Sequence, residues 1–349
     1  MKYILFCTNT YSFGILSPFI KIFKKKNYNW VWYVDKKIQH FFPFPNEKYT
    51  SKISDLILFR SDVILVPGND VPHYLRGVKT QVFHGFAGEK KGHFRVRDYF
   101  DLYLTQGPYF TSEFNRLKKL HGNFEVMQTG WPKFDKMFKN KKKLTEEKYK
   151  ILKKYDVQHI VLYAPTFSPS LTSAESIIPE IIRIARSKKN ILFLIKFHPL
   201  MHPKYIKFCK QIENKIENIN LIKKQCVLDS IYVSDLMISD TSSTIYESLL
   251  MDKPVISFNS ISKNIVWDNF SNIKQLEDLI DNNLDNDPFK SKRKIVYQNY
   301  HPYNDGQSAE RMIDSINIYI KKFGIPNYRN LSLYRKFKIY LKFGFNNIS

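Results

Sequence analysis

Asp235–Asn259 reads DLMISDTSSTIYESLLMDKPVISFN. An apolar run forms a buried strand, a hydroxyl-rich turn follows, a helix comes next, and Lys253-Pro254 opens a second buried strand. Such a turn sets backbone N–H groups and the hydroxyls of Thr241, Ser242, Ser243 and Thr244 at a helix N-terminus. The first N–H groups of a helix are unpaired and its dipole is positive there, so the position suits phosphate. An enzyme that handles an activated nucleotide is therefore expected. Thr244-Ile245-Tyr246-Glu247 also matches a capping box. Two roles are thus open to Glu247: a cap reaching back along the chain, or a ligand for ribose hydroxyls.

The same alternation extends in both directions. Tyr3–Thr8 is a short apolar strand, Ser12-Phe13-Gly14 a turn, Ile15–Phe23 a helix and Trp30–Val34 a strand. Further strands are expected at Val63–Val66, stopped by Pro67-Gly68, and at Lys79–Phe83, Leu102–Thr105 and Glu125–Thr129. A charged helical segment, Lys139–Lys154, marks a boundary. Beyond it come strands at Ile160–Ala164 and Ile191–Phe197, a helix at Ile177–Arg186 and another at Ser308–Phe323. The pattern predicts an α/β chain with two Rossmann-like domains, residues 1–138 and 139–349, and a cleft between them. Ligands of such sheets sit beyond the carboxyl ends of the strands. His84, His198 and the Asp240–Thr244 turn all follow strands and are expected to converge there.

With 349 residues, 43% of them hydrophobic, each half can bury its own core. The charge surplus is 55 − 32 = +23. A surplus of that size suits nucleic acid, an anionic membrane or a polyanionic substrate, and it also follows from a composition rich in Lys, Asn and Ile. The membrane or a polyanion is preferred, and no nucleic-acid partner is expected. Cys7, Cys209 and Cys226 are scattered and form no C-x-x-C, so neither a disulfide framework nor a zinc site is indicated. The opening MKYILFCTNTYSFG is too briefly apolar for a signal peptide, and no run approaches the ~18–20 residues of a membrane span. A cytoplasmic protein, soluble or peripheral, is expected.

His84 ends a strand and is followed by Gly85, which lets a ligand approach the imidazole without crowding from the backbone. An imidazole is a suitable base for an attacking hydroxyl. In Lys196-Phe197-His198-Pro199, period-2 alternation puts Lys196 and His198 on one side, where the pair could neutralise a phosphate. Asp305-Gly306-Gln307-Ser308 enters a helix that Asp305 would cap, and Arg311 is placed to reach phosphate. Asp285-Asn286-Asp287 fits a D-x-D pattern but has no supporting ligand, so it is read as solvated loop. No metal and no cofactor is expected. No P-loop, G-x-G-x-x-G or G-x-S-x-G occurs. In the tail, Leu333, Phe337, Tyr340 and Leu341 recur at helical spacing among Arg335, Lys336, Lys338 and Lys342. Such a helix either lies on an anionic membrane or packs back onto the N-terminal domain.

Seven ordered pieces carry a family resemblance: VFHG, RDYFDLYLTQGPYFTSEF, TGWPKFD, LYAPTF, KFHP, DLMISDTSSTIYESLLMDKPVI and YNDGQSAER. Together they resemble the CDP-glycerol:poly(glycerophosphate) glycerophosphotransferases of teichoic acid and capsule synthesis. The resemblance implies a GT-B fold, with an acceptor-side N-terminal domain and a C-terminal domain that holds the nucleotide. It implies bacterial proteins bound to the cytoplasmic face of the membrane. It also implies His84 as base, His198 on phosphate, and a donor site at Asp240, Ser242 and Ser243. Lys196, Thr241, Glu247, Thr166 and Arg311 join the donor side; Gly85 and Ser12 join the acceptor side. Here His84-Gly85 is followed by Phe86 where many relatives have Thr. Thr241 stands where D-Y-S-S is common.

The expected reaction moves a polyol phosphate, most simply glycerol 3-phosphate, from a CDP-activated donor to a hydroxyl of a polyanionic or lipid-linked glycan, with release of CMP. Glu247 and Lys253-Pro254 favour a rival, a GT-B glycosyltransferase using a nucleotide sugar. A non-catalytic membrane- or polyanion-binding protein is the rival from another class.

Overall fold

The computed structural model describes residues 1–86, 93–223, 227–262 and 265–344. It divides into two compact units, Met1–Lys139 with Asn299–Ser349, and Asn140–Gln298.

The first unit is built on a seven-stranded sheet. Its strands are β1 Lys2–Cys7, β2 Asn29–Val34, β3 Tyr49–Thr50, β4 Val63–Val66, β5 Val78–Gln81, β6 Leu102–Thr105 and β7 Glu125–Gln128. They lie in the order β3-β2-β1-β4-β5-β6-β7 and every pairing is parallel. A parallel sheet is covered on both faces, so its strands are continuous apolar runs. YILFC of β1 and VILV of β4 are buried throughout.

The second unit repeats the plan with β8 His159–Tyr163, β9 Ile191–Ile195, β10 Ile219–Leu221, β11 Leu236–Ser239, β12 Val255–Phe258 and β13 Asp268–Phe270. Its order, β10-β9-β8-β11-β12-β13, is the doubly wound arrangement 3-2-1-4-5-6. The helix Ala174–Ser187 covers one face through Ile177, Ile178, Ile181, Ile184 and Ala185, a stripe with helical period. The strand order reverses between β8 and β11, which pair in parallel with Tyr163 opposite Ile238. Ligands of such sheets bind beyond the carboxyl ends at this switch point.

The predicted boundary near residue 139 coincides with the division, but the tail does not belong to the second half. From Asn299 onward the chain packs with the first unit. Close backbone approaches make this possible: a Cβ on Gly107 would lie 2.4 Å from the Tyr300 carbonyl oxygen. A Cβ on Gly130, at φ +88, would lie 2.6 Å from Ser308 Oγ. Arg329 then straps the tail down. Its guanidinium donates to buried Asp101 at 2.5 Å and to the Asn123 carbonyl at 2.8 Å.

The tail helix, Leu333–Phe343, also packs on the first unit. Ile339 is buried in its core, Tyr340 stacks on Tyr74, and Phe343 meets Phe6 edge-on. The stripe Leu333, Phe337 and Leu341 points the other way and is exposed to 83%, 57% and 71%. Among the described residues no helix is long and apolar enough to cross a membrane.

Candidate active site

In the second unit the carboxyl ends of β8, β9 and β11 bring several of the expected residues together. Asp240, directly after β11, is 1% exposed. Its Oδ1 accepts from the Thr166 amide at 2.9 Å; its Oδ2 accepts from the Ser173 amide at 3.0 Å and the Ser173 hydroxyl at 2.9 Å. Burial raises its carboxyl above the usual range, and these N–H and O–H donors pull it back. The carboxylate is therefore spent on joining the loop after β8 to the turn after β11. The carboxylate forms a structural knot, with Thr166 held by its backbone.

The hydroxyls beyond the knot are partly exposed. Ser242 Oγ and Thr244 Oγ1 lie 2.8 Å apart, and Thr241 Oγ1 accepts from the Ile261 amide at 3.4 Å. The helix Thr244–Leu250 has Ser243, not Thr244, at its N-cap, and Ser243 makes no side-chain cap bond. The expected capping box is therefore absent, since Glu247 falls at the fourth helical position and Tyr246 at the third. Glu247 sits in the first turn and is 5% exposed.

His198 stacks on Phe167, centroids 4.3 Å apart, beside Thr166. Its Nδ1 accepts from the Leu200 amide at 3.1 Å. The proton of the neutral ring is then on Nε2, which becomes a donor. Burial, and then the charge of Lys196, lower its pKa and keep the ring neutral. Lys196 is buried next to it, and its Nζ reaches the Phe197 carbonyl at 3.2 Å.

In the first unit His84 follows β5. Its Nδ1 is 3.0 Å from the Pro67 carbonyl oxygen. A carbonyl can only accept, so Nδ1 carries the proton and the lone pair is on Nε2. The two histidines thus have opposite tautomers, one offering a base and the other a donor. Tyr11 stacks on the His84 ring at 5.1 Å. Phe83, immediately before it, has φ +56, a left-handed backbone that is unusual for a bulky residue. A Cβ on Gly85 would meet nothing within 4 Å, so protein packing does not require this glycine.

Two expected ligands, Ser12 and Arg311, lie in the first unit. Ser12 is 0% exposed, in the first turn of the helix Tyr11–Lys25, beside the Cys7 thiol. Arg311 donates to the Thr129 carbonyl at 2.8 Å, Asp305 at 2.6 Å and Ser308 Oγ at 3.3 Å, with its guanidinium 4.0 Å over the Tyr303 ring. It secures the returning helix Ser308–Phe323, and it belongs to the first unit. Asp305 accepts from the Gln307 amide, but the Ser308 and Ala309 amides are capped by Asp135, at 2.9 and 2.7 Å. The D-x-D pair is also structural in part: Asp285 ends the helix Leu276–Asp285 and Asp287 holds the buried Arg293 at 2.5 Å.

The profile of the CDP-glycerol:poly(glycerophosphate) glycerophosphotransferases matches residues 12–317. The chain belongs to this glycerophosphotransferase family. Among curated relatives, the teichoic acid ribitol-phosphate polymerase TarL of Staphylococcus aureus is 27% identical over 275 residues, which cover 70% of this chain and 46% of TarL. The chain spans about half the length of the curated relatives it matches. Solved S. aureus MnaA with UDP has a TM-score of 0.65 at 16% identity, covering 92% of this chain and 97% of that one. The wall teichoic acid polymerase TagF has a TM-score of 0.62 at 14% identity, covering 92% and 89%. The fold of this glycerophosphotransferase-family chain is GT-B.

Within that family frame, the partners of four residues escape a local reading of the sequence. Pro67 reads there only as a strand stop, yet its carbonyl sets the His84 tautomer. Phe167 and Asp135 lie inside the motifs LYAPTF and TGWPKFD and Ser173 lies in neither, and the sequence names the partner of none of them, because each acts on a residue distant in the chain.

Proposed function

We propose that this protein transfers a polyol phosphate, most simply glycerol 3-phosphate, from a CDP-activated donor to a hydroxyl of a polyanionic or lipid-linked glycan acceptor. The observation that carries the reading is the pair of opposite histidine tautomers. His84 Nε2 takes the proton of the acceptor hydroxyl as its oxygen attacks the β-phosphorus. The bond between that phosphorus and the bridging oxygen breaks, and its electron pair leaves with CMP. His198, through Nε2–H, and the Lys196 charge stabilise the phosphate oxygens as charge moves onto the leaving group. Ser242, Ser243 and Thr241 bind the diphosphate, and Gly85 leaves room for the acceptor.

The family membership and the UDP and teichoic acid proteins among the structural neighbours support a nucleotide-linked donor. Work at the cytoplasmic face of a bacterial membrane is part of the same reading. The exposed Leu333-Phe337-Leu341 stripe, flanked by Lys338 and Lys342, supports peripheral attachment to anionic lipid. Incubation with CDP-glycerol, CDP-ribitol and UDP-sugars, each with a poly(glycerol phosphate) oligomer, tests the proposal by the nucleotide released. CMP from a CDP-polyol is the expected product. UDP or UMP from a sugar donor would establish the glycosyltransferase rival, and no release from any donor would favour a binding protein.

A further inference from the structure

Among the described residues Phe83 is the one aromatic residue at a left-handed position, and it immediately precedes His84. A left-handed conformation is costly for a non-glycine residue and persists only where the surroundings over-determine it. Four contacts supply that constraint, one of them the His93 ring stacked on Phe83 at 5.6 Å. The Phe83 ring is caged by Phe114 at 5.1 Å and Tyr103 at 6.1 Å. Its carbonyl accepts the indole N–H of Trp131 at 3.3 Å. Trp131 is itself fully buried, set edge-on to Phe86 and Phe134, and its main-chain N–H donates to His301 Nε2 at 2.9 Å.

We propose that Trp131 is a positioning residue for His84: its indole N–H pins the Phe83 carbonyl, and His301 fixes Trp131 in turn. This rests on the reading of His84 as base. The left-handed turn at Phe83 sets the direction in which the His84 side chain leaves the backbone. Return of Phe83 to an ordinary extended backbone would swing the imidazole away from the Pro67 carbonyl. The proton would then no longer be confined to Nδ1. Trp131 touches no reacting atom in this scheme, and burial keeps the His301 ring neutral, with a pKa lowered to about 4, so that Nε2 remains an acceptor near neutral pH.

The test uses the full chain with Trp131→Phe, which removes the donor and keeps an aromatic ring. Three readouts are taken: the melting temperature, the His84 ring nitrogen shifts by NMR, and CMP release from CDP-glycerol. Where Phe is not tolerated, 3-benzothienylalanine at position 131 replaces the N–H by sulfur in a near-isosteric ring, with the same readouts. In a folded variant His84 is expected to become a tautomer mixture. The turnover number should fall about 10- to 100-fold with the KM for donor unchanged, as misplacement of a catalytic group implies. A folded variant in which His84 keeps its proton on Nδ1 would overturn the proposal. A tautomer mixture with full turnover would support the positioning role and instead refute His84 as the base.

Discussion

Replacement of Asp240 separates a structural knot from a donor ligand. In Asp240→Ala the Thr166 and Ser173 amides lose their acceptors. Asp240 is 1% exposed, and water does not easily replace it. The Ser173 hydroxyl keeps a second partner, the Tyr163 hydroxyl at 2.9 Å, so it is not orphaned. The buried Ser173 amide at about 1–3 kcal/mol and the part-buried Thr166 amide at no more than that predict a loss of roughly 1–5 kcal/mol. That is a large part of the ~5–15 kcal/mol typical of a domain. Urea unfolding should show a lower midpoint with the slope retained. Hydrogen exchange localises the effect, with the Thr166 and Ser173 amides losing protection before the strands β8 and β11. Unchanged stability and protection together with a raised KM for the CDP donor would refute the knot and restore Asp240 as a ligand.

Arg311→Ala should cost the first unit about 1–3 kcal/mol through its contacts to Thr129, Asp305 and Ser308 while leaving the KM for donor unchanged, which denaturation and steady-state kinetics check together. The triple variant Leu333→Ser, Phe337→Ser, Leu341→Ser should keep its melting temperature, since these side chains are exposed, and should lose most of its co-sedimentation with vesicles containing anionic lipid. Acid stability reports on His301, whose folded pKa of about 4 lies below the ordinary ~6.5. The unfolded chain then takes up the proton first, so stability is intact above pH ~6.5 and falls by about 1.4 kcal/mol per pH unit toward pH 4. His301→Gln should flatten that limb of the stability profile relative to wild type.

The elements were legible because their signals are local. LYLT and VILV are apolar between turn residues, and β6 and β4 occupy those positions. The helix Ser308–Phe323 follows its 3.6-residue stripe to the residue. Short edge strands were not legible: β3 has two residues and β10 and β13 three each, too few for a period. Histidines at strand ends were found for the same local reason, since a strand and its stop fix their place. The protein partners of Asp240 and Arg311 were not legible because they lie far along the chain, Thr166 and Thr129 respectively. Residue type shows that a charge needs a partner; only the tertiary fold shows that the protein itself provides it. In the tail helix the period gave an apolar stripe, but the core took Ile339 and Phe343 and left Leu333, Phe337 and Leu341 outside.

The role of His84 is tested most directly by CMP release from CDP-glycerol in wild type and His84→Asn. The Asn side chain can still donate to the Pro67 carbonyl but has no basic lone pair. The account predicts a fall of about 10²–10⁴-fold in turnover, the usual worth of a general base, at an unchanged melting temperature. Turnover within a few-fold of wild type in a folded variant would contradict it.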